Sequence, residues 1–310
     1  MTGSMPHRAG QGGGIASDPR LLAGAAGGLL TALVALWAFR GLPLGGLALW
    51  FTPLPLFAAG IGFGPVAVLL ALVASAALLL LSGSAIGLGL FLALFGLPAG
   101  LLVLAARDGA LGLAFALLGL IPAAGVLLAA LLLADFEGGM EGALRAAAEA
   151  GLARMGLSAP ESVVAELVRI KAAAIGFWAA MALLANAALA AFLLRRGGVI
   201  PAAPAWQKAR LPAWYAVPVA LAFGFWLAAD DGADAVPLSL LLVLLVPVFL
   251  HGLAGFHRAT AGLPGRPFLL GAAYAALLIL SVPVALGVAG YGFYDILNGT
   301  RARRAAPPRS

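Results

Sequence analysis

An all-α fold follows from this sequence: a polytopic transmembrane helical bundle of about eight to ten spans, with an extramembrane amphipathic helical hairpin inserted in it. Three observations predict it. Of the 310 residues, 63% are hydrophobic and 10% charged, with a mean hydropathy of +1.08, far from the composition of soluble domains. Nine apolar runs follow one another through short links, none with a charged residue near its middle, and runs of this length enter a bilayer as helices. The one long polar interval, 135–171, carries helical charge spacing rather than turn residues. The expected plan is a disordered polar arm, 1–20, one membrane-embedded domain, 21–298, with the hairpin at 135–171, and a basic disordered tail, 299–310.

Along the chain, the Gly-rich arm has no apolar periodicity that could offset the entropy of ordering it. The run 21–39 then starts directly after Arg20. It exceeds the apolar core of a signal peptide, about 7–15 residues, and is expected to stay as the first helix. Segments 44–60, 65–81, 85–106 and 110–134 follow, then 172–194, 213–229, 236–256 and 268–290. Pro53 and Pro55, Pro98, Pro122, Pro247 and Pro283 fall inside five of them. Each proline removes a backbone donor and bends a helix, which lipid tolerates where a neighbour satisfies the freed carbonyl. Bent spans of this kind line a cavity in many transporters, and elsewhere are only a way of packing.

In the polar interval, Glu141, Arg145 and Glu149 are spaced i, i+4, i+8 on one helix face, with Met140, Leu144, Ala147, Gly151 and Met155 on another. This predicts a helix lying along the membrane surface. Ser158-Ala159-Pro160-Glu161 then reads as a capping box that starts a new helix. Nothing interrupts that helix before Gly197, so it would run about 38 residues, or about 57 Å, and its first third would project beyond the bilayer. Such a hairpin either only connects spans or engages a partner.

Loop charge indicates sidedness. Arg195, Arg196, Lys208 and Arg210 place the link at 195–212 in the cytoplasm, and Asp230, Asp231 and Asp234 place the next link outside. Simple alternation would leave the tail, with Arg301, Arg303, Arg304 and Arg309, outside, against the positive-inside rule. One segment is therefore expected not to cross as a single helix: either 44–60, or the last one divided at Pro283. A cytoplasmic carboxyl end is preferred.

Chemistry is sparse. The net charge of +6 is spread over loops and tails, which suits topology and lipid phosphate rather than nucleic acid. There are no cysteines, so disulfides and thiolate sites are excluded. No zinc-protease, nucleophile-elbow or P-loop motif occurs, and neither an enzyme nor a cofactor is expected. His251 and His257 are six positions apart, so they face apart on a helix and no metal site is expected. Asn186 is the most interior strongly polar residue of its span and needs an interhelical partner, as packing glue or as a ligand contact. Trp206 and Trp214 flank Lys208, Arg210 and Pro212, which reads as an interfacial anchor or a docking site for a partner. Gly60 with Gly64, Gly83 with Gly87 and Gly96 with Gly100 are spaced for close helix packing, by default within the chain.

Three stretches carry a family likeness: Asn186 through Leu194-Arg195-Arg196-Gly197-Gly198 to Trp206 and Arg210-Leu211-Pro212-Ala213-Trp214; Phe249-Leu250-His251-Gly252-Leu253-Ala254; and Tyr274 with Gly290 to Asp295 and the Arg301 cluster. Together they resemble the YybS-like family of uncharacterised bacterial polytopic membrane proteins. His251 stands where that family typically has a glutamine-like position. The resemblance implies a distant likeness to the substrate-binding subunits of energy-coupling factor transporters, which bind a small solute in a helical bundle and dock on a shared ATPase. The expectation is a transport-related or solute-binding subunit of a bacterial inner membrane, in contact with lipid, a solute and a protein partner, without its own ATPase. The alternative is a non-catalytic scaffold or assembly factor that engages a partner through the hairpin and basic loops.

Overall fold

The computed structural model describes residues 17–107, 109, 111–230 and 234–305. Most of the expected arm, Asp231, and Arg309 of the tail lie outside the described residues, as do the side chains from Thr300 onward. Among the described residues the secondary structure is helical, with no strand. Seven helices are long and apolar enough to cross a membrane, and two shorter apolar ones, Pro65–Leu81 and Ala213–Leu227, accompany them. The chain is a multi-pass helical bundle.

The first half is built on close helix approach. Helix α1, Pro19–Phe39, is capped by Asp18, whose side chain accepts from the Arg20 amide. It lies along α4, Pro65–Leu81, where a β-carbon on Gly28 would stand 2.7 Å from the Ala71 carbonyl. No side chain fits there, and the two backbones pack directly.

The second segment is broken, into α2, Gly45–Phe51, and α3, Leu54–Phe63. Pro53 and Pro55 have no N–H to return to the carbonyls of Leu49 and Phe51 four residues earlier. The Thr52 amide turns to Leu49 instead, at 3.2 Å. The fourth segment, Ala85–Ala106, meets the same demand differently. Between α5, Ala85–Phe91, and α6, Leu97–Ala106, the five residues Leu92–Gly96 widen into a π-helical turn just ahead of Pro98. A π-bulge lets the chain pass a missing donor without ending the helix.

Helix α7 is Leu111–Leu132, and the hairpin follows as α8, Gly139–Arg154, and α9, Glu161–Arg196. The expected capping box does not form: α9 begins at Glu161 with Pro160 in its cap position and no side-chain cap. Proline keeps its predecessor extended, so Ser158 is carried away from the helix start. The face assignment in α8 also changes. Met140 is buried and Leu144 half-buried, but Ala147 and Met155 are exposed, while Glu141 and Arg145 turn inward. Helix α9 runs 36 residues and stops at Gly197, about 54 Å at 1.5 Å per residue.

Helix α10, Ala216–Leu227, leads to α11, Ala235–Ala259, the central strut of the second half. It packs against α7, α9, α10 and the last helix, and most of its apolar stretch is buried. Helix α9 joins the two halves by touching both α3 and α11.

The last helix, α12, Arg266–Ala305, is two arms joined at Ser281, whose φ of 28° and ψ of −87° are not helical. The break falls two residues ahead of Pro283, one of the two places where a divided segment was expected. Tyr274 reaches His257 and Asp295 reaches Arg258, neighbours on α11, although the two α12 residues would stand about 31 Å apart on a straight helix. The second arm therefore comes back to the end of the bundle from which the first departs.

Candidate functional site

Of the seven residues singled out in the sequence, five gather around one end of α11. Gly252 and Gly292 bring α12 against α11: a β-carbon on Gly252 would collide with the Val288 carbonyl, and one on Gly292 with that of Val248. This contact sets Asp295 beside His251 and Arg258. Asp295 Oδ2 is 3.0 Å from His251 Nε2 and 3.1 Å from Arg258 Nη2. The histidine contact lies off the axis of an N–H bond, while the arginine donates properly.

The same groups hold the basic link. Arg258 donates to the carbonyls of Gln207 and Ala209 at 2.9 and 3.2 Å. The Leu211 amide donates to His251 Nδ1 at 3.3 Å, which leaves the proton of the neutral ring on Nε2, facing Asp295. Trp206, in a 3₁₀ turn, stacks edge-on against His257 with ring centres 4.9 Å apart, and His257 bonds the Tyr274 hydroxyl at 2.8 Å. The two histidines take different partners. On the other flank, Gly112 of α7 has no room for a side chain because the Arg210 carbonyl comes so close, and Pro212 lies just beyond. The Arg210 side chain is exposed, and Trp214 is 48% exposed on the outer flank. The segment from Trp206 to Pro212 is thus strapped to the bundle by its backbone, and only its outer side chains are free to meet lipid or a partner.

The opposite end holds the hairpin. Arg169 of α9 makes a two-pronged contact with Asp234 ahead of α11, at 2.6 to 3.0 Å. These bonds hold the Asp234 carboxyl below its ordinary pKa, against the opposing effect of its partial burial, and Trp226 adds a further donor. Glu141 accepts the free amide of Ala235 at 3.3 Å, and Arg145 pairs with Glu161 across the hairpin. A cavity of about 320 Å³ opens between them, lined by Glu141, Arg145, Glu166, Arg169 and Asp234. The charged face of α8 is therefore tied down rather than simply wet.

Asn186 belongs to neither end. It is 3% exposed and donates through Nδ2 to the carbonyls of Trp50 and Ala182, both at 2.7 Å. The Trp50 carbonyl lies in the last turn of α2, just ahead of the break, and Asn186 ties it to α9. Trp50 meets Phe95 of the π-turn and Trp178 of α9 edge-on, with ring centres 6.4 and 6.5 Å apart. Two interrupted spans thus face α9 at one level.

Arg258 carries this geometry but was not legible as a site residue, and neither was the burial of Thr52. In the sequence Arg258 is one more basic residue at the end of an apolar segment. Thr52 is a small hydroxyl next to a proline, and nothing in one sequence marks it as buried. Among the described residues, no group of three or more His, Asp or Glu is placed to hold a metal ion. Comparison with known protein families, curated proteins and solved structures finds no match to this chain.

Proposed function

We propose that this chain is a transport-related, solute-binding membrane subunit that lacks an ATPase of its own. The observation that carries the reading is the meeting of two interrupted spans on α9 around Asn186. Asn186 lies ten residues before Arg196, about 15 Å along the helix, which is half the thickness of a hydrocarbon core of about 30 Å. Transporters commonly place a solute site at that depth, between discontinuous helices whose unpaired backbone groups face it. The resemblance to the YybS-like family in 186–214, in 249–254, and in Tyr274 with Gly290 to Asp295 and the Arg301 cluster supports the same reading. A chain with only two lysines among its 18 basic residues and an abundance of Ala and Gly suits a GC-rich bacterial genome, hence an inner membrane.

Native mass spectrometry of the detergent-purified protein tests this. A small molecule of constant mass retained through gentle activation is the expected result. Loss of that adduct on mutation of Trp50 or Trp178 to Ala would place it at the interrupted spans.

A second reading has its own observation. The hairpin is fixed to the bundle by Arg169–Asp234, Glu141–Ala235 and Arg145–Glu161, which presents it as a rigid surface suited to a scaffold. Stoichiometric protein partners with no retained solute would select that alternative.

A further inference from the structure

We propose that the break between α2 and α3 binds a sodium-sized monovalent cation through oxygen atoms of Asn186, Thr52 and the interrupted backbone. This deepens the transport-related reading and rests on it. The two partners of Asn186 Nδ2 are both carbonyl oxygens, so the amide cannot be turned over without setting oxygen against oxygen. Its Oδ1 is thereby committed to face away, and it is buried with no donor. Thr52, two residues past Trp50, is 0% exposed, and its hydroxyl also has no partner. Between them in sequence stands Phe51, whose carbonyl would pair with residue 55 in a continuous helix. Pro55 has no N–H to offer.

Unmet oxygens at this depth are expensive, because lipid supplies no donor. Neither side-chain oxygen has a donor, and a cation would satisfy both. The donor set is made of carbonyl and hydroxyl oxygens, the ligands of hard cations. Interrupted helices present such groups to sodium in membrane transporters. The absence of a carboxylate sets the charge class: neutral oxygens suit one positive charge, whereas sites for divalent ions rely on acidic side chains. That same neutrality explains why hydropathy and the scarcity of charge within the spans hide the site. Asn186 also connects the site to α9, the helix that joins the two halves of the bundle. A cation here would tie α2 and α3 to that helix.

The test uses the full chain in detergent. Thermal unfolding is followed in NaCl and in choline chloride at matched ionic strength, with KCl as a size control. Sodium should raise the midpoint saturably by a few degrees, the shift expected when a ligand stands about tenfold above its Kd. Choline should not, and potassium should do so only weakly. Thr52→Val should unfold as the wild type does in choline yet lose the sodium shift, while Thr52→Ser should keep it. Equal midpoints in sodium and choline for the wild type would overturn the proposal and leave these oxygens to a buried water. A full sodium shift in Thr52→Val would overturn it as well, because the ion would then act elsewhere. Mass spectrometry of the same preparation separates the two readings: a retained solute with no sodium effect removes the cation site and leaves the transport-related reading standing.

Discussion

Asn186 shows how one side chain can be demanded by both lipid and fold. An amide at that depth must find partners, and Asn186 finds them in the Trp50 carbonyl at the last turn of α2 and in the Ala182 carbonyl of its own helix. Asn186→Leu should therefore lower stability in detergent by about 1 kcal/mol, as lost interhelical hydrogen bonds do. An unchanged unfolding curve would show that the bond contributes nothing. Asp234 offers a test in pH. Its folded pKa is depressed, chiefly by Arg169, so its contribution is complete above the ordinary carboxylate value and fades as pH falls through the lower folded one. Asp234→Asn should thus be less stable than wild type at pH 7, and the difference should shrink below about pH 4. A gap that persists undiminished at pH 3 would mean that the loss is not one of charge. The sequence pointed to Asn186 and His251 because polar residues are rare in these spans, and to Asp295 through the family likeness. It concealed Arg258 and Thr52, whose roles depend on what lies across from them.

Helix breaks were legible wherever proline stood, but their form was not. Pro53 and Pro55 separate α2 from α3, Pro98 is passed by a π-turn, and Pro122 and Pro247 remain inside continuous helices. The outcome depends on whether a neighbour satisfies the freed carbonyl. Pro247 leaves the Val243 carbonyl without its donor, and the Tyr215 hydroxyl donates to the next carbonyl along, that of Leu244, at 3.1 Å. The contact of α11 with α12 depends on glycine in the same way. Gly252→Val would drive a side chain into the Val288 carbonyl, and overpacking of this kind costs about 1–3 kcal/mol. Because that contact positions Asp295, the expected consequence reaches further than stability. The link should become open to protease at Gln207, whose carbonyl Arg258 no longer holds. Unchanged protection of the link in Gly252→Val would show that it is secured without α12.

Across the whole molecule, the basic link and the return of α12 lie at one end and the acidic, hairpin-bearing contacts at the other. The fold at Ser281 relieves the conflict that simple alternation creates, because it puts the chain after Asp295 at the same end as the link. With the link in the cytoplasm, Ser158→Cys in the hairpin should react with an impermeant maleimide in intact cells. Ala202→Cys in the link should react only after permeabilisation, and a reporter on the carboxyl end should share its side. The reverse labelling would invert the molecule, and labelling of the hairpin and the link from one side would contradict the bundle. The absence of native cysteines makes each single substitution unambiguous.

By itself the sequence determined the solvent, the helical class, the positions of the apolar segments and the long α9. These follow from local composition: lipid requires each span to satisfy its own backbone, and the length of an apolar run nearly dictates a helix. It also marked the prolines at which that self-sufficiency fails. Only the tertiary structure decided where the failures are repaired: Asn186 at Trp50, the π-turn before Pro98, the reversal of α12 at Ser281, and the strap from Leu211 to His251. The contacts at Trp50 and at His251 join residues far apart in the chain, and lipid gives no hydrophobic pattern that would reveal which faces meet.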